Sequence, residues 1–242
     1  MSLNREQVLR EMGLGPVWKL RVAPAVAPVD EVPASLPVAP VSVSAIVPPI
    51  AAAPPLASMG WNELATTVAA CRQCRLCETR KQAVLGVGDV HADWLFVGEG
   101  PGAEEDQRGE PFVGQAGKLL DNMLVAIGLK RGEDVYIANA VKCRPPENRT
   151  PTPDEVAACR PYLERQIDLI QPKLIVALGR PAAQTLLQTE VKIGAARGKL
   201  HDYHGIPLIV TYHPAYLLRT LLDKAKAWED LCFMRRTMKA QQ

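Results

Sequence analysis

Four short runs along the chain are almost wholly apolar: Trp94-Leu95-Phe96-Val97, Val135-Tyr136-Ile137-Ala138, Leu174-Ile175-Val176-Ala177-Leu178 and Pro207-Leu208-Ile209-Val210-Thr211. Runs of this length without polar alternation predict strands buried on both faces. Helical patterns lie between and around them: near 61–71, about 115–127, Asp154 to about Ile170, 181–187, and roughly 224–239. Strands alternating with helices predict an α/β fold whose central sheet is mostly parallel, four-stranded and covered on both faces. No internal repeat is visible.

The first 60 residues break this pattern and hold ten of the 21 prolines. Residues 22–58 are nearly all Ala, Val, Pro, Ser and Ile, and proline removes a backbone donor and clashes inside helices and sheets, so an extended, disordered linker is expected. Ahead of it, residues 1–21 contain one short helical pattern, Asn4 to Gly13, read as a frayed end or as a docking peptide for a repair or replication partner. The folded domain is expected over 59–242.

The formal charge is only +2 and 48% of residues are apolar, which excludes a strongly basic nucleic-acid coat and a disordered chain but not a local basic groove. The start, Met1-Ser2-Leu3-Asn4-Arg5-Glu6, lacks the order of a secretory signal, and prolines interrupt every long apolar run. A soluble protein of a reducing compartment, with no membrane association, is therefore expected. That shifts the six cysteines from disulfides towards metal. Cys71 and Cys74 form a C-x2-C, Cys74 and Cys77 a second one, and Cys143 and Cys159 lie after the second strand and in the next helix. A four-thiolate site for zinc or an iron–sulfur cluster fits, and spacing chooses neither the metal nor the first pair.

Ligands in such sheets sit beyond the carboxyl ends of the strands. The four strand ends here lead into Gly98-Glu99-Gly100-Pro101-Gly102, Asn139, Gly179-Arg180 and Tyr212-His213-Pro214. Singly these are turn formers or solvated side chains; together they bring an acid, an amide and an imidazole to one crevice. The glycine-rich turn lacks the Gly-Lys-Ser/Thr ending of a P-loop and the spacing of a dinucleotide site.

Several segments resemble the family 4 uracil-DNA glycosylases: Cys71-x2-Cys74 with Glu78-Thr79-Arg80, the run Gly98 to Asp106, Glu110-Pro111-Phe112-Val113-Gly114, Asn139 to Pro146, and His213 to Arg219. The resemblance covers about 61–240. It implies a three-layer α/β/α sandwich and a structural [4Fe–4S] cluster on Cys71, Cys74, Cys143 and Cys159, leaving Cys77 and Cys232 unassigned. It further implies a monomeric, cytoplasmic, nucleoid-associated enzyme of base excision repair acting on uracil in single- or double-stranded DNA.

Under that resemblance Asn139 reads the base, Phe112 stacks on it, His213 donates towards the O2 oxyanion and Glu99 serves the water or the cationic sugar. Gly100 and Pro101 join them at the base, and Glu105 walls the C5 side. Tyr216, Leu217, Leu218 and Arg219 resemble a minor-groove wedge, with Lys142, Arg144, Arg149 and Arg219 as phosphate contacts. A related group traps uracil through a His in the stretch after the second strand. Here residues 143–151 hold no His, so turnover is expected. The complete Glu99, Asn139 and His213 set argues against a non-catalytic DNA-binding adaptor.

Overall fold

The computed structural model describes residues 56–241. The helical pattern from Asn4 to Gly13 and the linker as far as residue 55 lie outside these. The last linker positions, Leu56–Ser58, form a 3-10 turn, and Leu56 packs on a small apolar cluster.

Helix α1 (Trp61–Ala70) and the single turn α2 (Leu76–Thr79) precede strands β1 (Val87–Gly88) and β2 (Trp94–Gly98). Next come α3 (Ala103–Arg108), α4 (Gln115–Ala126), β3 (Val135–Asn139), α5 (Pro153–Ile170) and β4 (Leu174–Leu178). After α6 (Arg180–Leu187) and α7 (Ile193–Ala196), the hairpin β5 (Leu200–Tyr203) and β6 (Ile206–Thr211) leads to α8 (Pro214–Arg219) and α9 (Lys224–Lys239).

The sheet order is β1-β3-β2-β4-β6-β5. The inner four strands are parallel, and β1 and β5 add antiparallel edges. The sheet thus has six strands, not the four expected. The edges escape a pattern reading because β1 is two residues long and β5, Leu-His-Asp-Tyr, buries only its last side chain. The inner strands β2, β3 and β4 are buried at every position, as runs between two helical layers must be.

Alternation across the pleat sends Leu95, Val97, Ile175, Ala177, Leu208 and Val210 to one face, where Leu163 and Ile167 of α5 and Ala182 and Leu186 of α6 cover them. Phe96, Ile137, Val176 and Ile209 face the other way, against Leu120 and Leu124 of α4, Leu217 of α8 and Leu231 and Met234 of α9. This is the three-layer sandwich. A third cluster packs Leu64 and Val68 of α1 on Cys143, Cys159 and Tyr162. No helix among the described residues is long and apolar enough to cross a membrane.

Candidate functional site

Strands β2 and β3 end side by side, with Gly98 paired to Asn139. Beyond them the ladder continues, Ala140 N–H donating to the Gly98 carbonyl (2.9 Å) and Val141 N–H to that of Glu99 (3.1 Å). A side chain at position 98 would put its Cβ 2.4 Å from Asn139 Oδ1 and 2.6 Å from Phe112 Cζ, so glycine is what lets amide and ring meet. Asn139 is buried, and its Oδ1 has no hydrogen-bond partner. An unsatisfied buried acceptor costs about 1–3 kcal/mol unless a ligand supplies the donor.

Phe112 forms a wall of the resulting cavity, which is about 450 Å³. Its backbone sits at φ 55°, a left-handed conformation unfavourable for an aromatic residue. Two devices hold it there. The Arg131 guanidinium donates to the carbonyls of Pro111 and Phe112, each at 2.9 Å, and Gly117 leaves room for the Phe112 carbonyl, which a Cβ would meet at 1.7 Å.

His213 lies opposite, its ring 5.4 Å from Phe112 and 29° from parallel. It caps α8, its Nδ1 accepting the Ala215 N–H at 3.1 Å. Nδ1 is therefore unprotonated and Nε2 carries the hydrogen. Loss of solvation lowers its pKa to about 4; the nearby Arg219 charge acts the same way and Glu105 opposes it. The ring is neutral near pH 7.

Glu99, Gly100, Pro101 and Glu105 complete this end of the cavity. Burial pushes the Glu99 carboxyl upward, against hydrogen bonding from Thr150 and the charge of Arg180. Arg180 follows the third strand end already singled out in the sequence, whereas Thr150 carries no sequence signal of this role. Glu105 is not a solvated loop carboxylate. It accepts N–H bonds from Gly102 (3.1 Å), Val113 (2.9 Å) and Gly114 (3.1 Å), bracing the loop that carries Phe112.

At the rim, Arg149, Tyr216 and Arg219 line the cavity. Arg149 grips both oxygens of Glu155 at 2.8 and 2.7 Å and holds that carboxyl at about 2. Arg144 Nε donates to Asn148 Oδ1 at 2.8 Å. The Tyr216 hydroxyl donates to Asp223 at 2.6 Å, bracing the Leu221–Asp223 3-10 turn.

Two expected DNA contacts are corrected here. Lys142 is 1% exposed. The chain bends past β3 and sends its ammonium inward, to the carbonyl of Asn139 (2.8 Å) and to Gln166 Oε1, so it cannot reach a phosphate. Leu217 is 1% exposed because its place on α8 faces the core, whereas Leu218 (42%), Leu221 (63%) and Leu222 (90%) project outward. The last two form a Leu-Leu pair one residue beyond the wedge-like segment.

Cys71, Cys74, Cys143 and Cys159 line a second, smaller pocket, with Val68, Arg80, Lys142 and Tyr162. Cys77 stays outside it. Arg80 donates to Cys143 Sγ (2.8 Å) and to the carbonyls of Ala69 (2.7 Å) and Cys71 (3.0 Å), and the Lys142 N–H donates to Cys159 Sγ at 3.2 Å. Burial raises the Cys74, Cys143 and Cys159 thiols, the last to about 12. Among the described residues, no group of three or more His, Cys, Asp or Glu side chains is arranged to hold a metal ion. The donor set itself is soft sulfur beside cations and N–H groups, which suits a thiolate-held iron–sulfur cluster or zinc.

Residues 85–232 match the family model of the uracil DNA glycosylase superfamily. The chain is 48% identical over 165 residues to the type-4 uracil-DNA glycosylase of Archaeoglobus fulgidus, covering 65% of this chain and 82% of that protein. To the type-4 enzyme of Thermotoga maritima it is 50% identical over 151 residues, 62% of this chain and 78% of the other. Identity to the type-5 uracil-DNA glycosylase of Thermus thermophilus is 34% over 183 residues, 61% and 83% of the two chains. Within the superfamily, the chain belongs to the type-4 uracil-DNA glycosylases.

Proposed function

We infer that this protein is a DNA-repair glycosylase: it takes uracil in DNA, hydrolyses the N-glycosidic bond and leaves an abasic site for base excision repair. The observation that carries the chemical reading is the buried, unpartnered Oδ1 of Asn139 at the floor of a cavity of about 450 Å³. A base inside duplex is inaccessible, so it must leave the stack and enter such a pocket. Uracil presents N3–H to Asn139 Oδ1 and O4 to its Nδ2–H. Cytosine reverses both polarities and leaves the buried amide facing like groups, unpaired.

Phe112 stacks on the flipped ring, a contact worth about 1–3 kcal/mol. As the glycosidic bond breaks, negative charge develops on uracil O2, and His213 Nε2–H donates to it as a neutral imidazole. Glu99 stabilises the cationic sugar and orients the water on its far side. Gly100 and Pro101 leave room at the base edge, and Glu105 walls the C5 side, where thymine carries its methyl. Arg144, Arg149 and Arg219 contact phosphates, while Tyr216, Leu218, Leu221 and Leu222 form the apolar edge that fills the vacated stack. Cys71, Cys74, Cys143 and Cys159 would hold a [4Fe–4S] cluster, which when bound would tie the segment after α1 to the end of β3 and to α5. Residues 59–242 form the catalytic domain.

The test is cleavage of an end-labelled oligonucleotide with one uracil, followed by alkaline scission, against a thymine control. Uracil-specific nicking by wild type and its loss in Asn139→Ala are expected. A folded, brown preparation that does not nick would overturn the reading.

A further inference from the structure

Lys142 is unusual among the charged groups of this chain. It is 1% exposed, and among the described residues it forms no ion pair with a carboxylate. Its ammonium is held by two neutral acceptors, the Asn139 carbonyl at 2.8 Å and Gln166 Oε1. Gln166, also fully buried, is fixed in turn by donating to the Leu85 carbonyl (3.0 Å) and the Tyr136 hydroxyl (3.2 Å). A buried cation with only neutral partners is expensive unless negative charge stands beside it. Lys142 lines the four-cysteine pocket, directly precedes Cys143 and donates its backbone N–H to Cys159 Sγ at 3.2 Å, so two of the four sulfurs stand beside it. A cubane core carries fewer positive charges than its four thiolates carry negative ones, so the bound cluster is a net anion.

We propose that Lys142 is a positioning residue joining the two sites, its ammonium serving at once as counter-charge to the iron–sulfur cluster and as a clamp on the backbone carbonyl of Asn139. The inference rests on the glycosylase and cluster readings above. Only two residues separate Lys142 from Asn139, and these, Ala140 and Val141, donate their N–H groups to the carbonyls of Gly98 and Glu99. Losing the cluster's charge therefore loosens the strand end that presents both Asn139 and Glu99. A lysine serving only to fill the core would have neither connection.

The experiment compares the purified holoprotein with Lys142→Met, which keeps length and removes charge. The first readout is bleaching of the visible iron–sulfur band in excess chelator, which needs no activity. The second is kcat and KM on a single-stranded uracil oligonucleotide, normalised to iron. Supporting shells of metal sites are worth about 10- to 100-fold, so Lys142→Met is expected to bleach roughly tenfold faster or more and to lose about tenfold or more in kcat, with KM nearly unchanged because DNA contacts lie elsewhere. Bleaching and kcat both within about twofold of wild type would overturn the proposal. If Lys142→Met does not fold, Gln166→Leu is measured: it keeps the charge but removes the side chain that holds the ammonium beside the Asn139 carbonyl, so normal bleaching with lowered kcat is expected, and unchanged kcat refutes the clamp. A wild type that never releases uracil condemns the glycosylase reading instead, and the bleaching comparison still decides the counter-charge.

Discussion

Replacing Asn139 by alanine separates a residue kept for recognition from one kept for folding. Asn139 is 2% exposed and its Oδ1 meets no donor, so in the free protein the amide contributes little to stability and carries a desolvation penalty. Truncation removes that penalty together with two hydrogen bonds to the base. At about 1–2 kcal/mol for each bond, the loss is roughly 2–4 kcal/mol, or about 30- to 1,000-fold in kcat/KM. The assay is single-turnover release of uracil from a labelled oligonucleotide, run beside thermal unfolding of the same preparations. The expected result is a large rate loss with the midpoint unchanged or raised, the signature of a site that gives up stability for function. A rate within threefold of wild type, or a matching fall in unfolding temperature, would refute the argument, because the amide would then be a core group.

Three further outcomes rest on the same geometry. Gly117→Ala drives a Cβ to 1.7 Å from the Phe112 carbonyl, so the loop must move; a loss of about 1–3 kcal/mol in urea unfolding is expected, together with most of the activity, and normal values for both would contradict the packing account. For His213 the folded pKa of about 4 lies below the ordinary 6.5. The unfolded chain therefore binds more protons, so this contribution to stability is full above pH 6.5 and is lost as pH falls towards 4; ring NMR should show no His213 step near 6.5, and such a step would disprove the neutral-donor role. Leu222→Ala, at a 90% exposed position, should leave the unfolding temperature unchanged and lower activity on duplex more than on single strands; equal effects on both substrates would remove Leu222 from the wedge.

The central strands and main helices were legible to within a residue or two because burial on both faces, or on one stripe, writes a period into the sequence. The edges were not, since Val87–Gly88 is too short for a pattern and Leu200–Tyr203 is mostly exposed. At the site, position at the strand ends brings Asn139, His213 and Glu99 to one cavity, as their place in the sequence implies, but direction could not be read from type. Lys142 looks like any phosphate contact until the bend after β3 turns it inward. Leu217 and Leu218 differ only by the 100° step of a helix, which buries one and exposes the other. Among the cysteines, α2 buries Leu76 and leaves the following Cys77 outside the pocket, a choice that spacing alone could not make.

The stretch from Asn139 to Cys143 explains why the two pockets should not vary independently. Five consecutive residues supply the unpartnered amide, two backbone bonds to Gly98 and Glu99, a buried ammonium and a buried thiol. No side chain in the stretch turns to solvent, so any change there is felt in one pocket or the other. Three features that cost stability, an orphaned acceptor at Asn139, a left-handed Phe112 and a carboxyl at Glu99 raised by burial, lie at the larger cavity, while the buried ammonium of Lys142 lies at the cysteine pocket. The offsetting apolar packing lies at the cysteine pocket, where Val141 and Cys143 join Leu64, Val68 and Tyr162. A cluster seated among those residues would hold the costly end of β3 in place from behind, while the pocket in front stays free of any group that satisfies Asn139 before the base does.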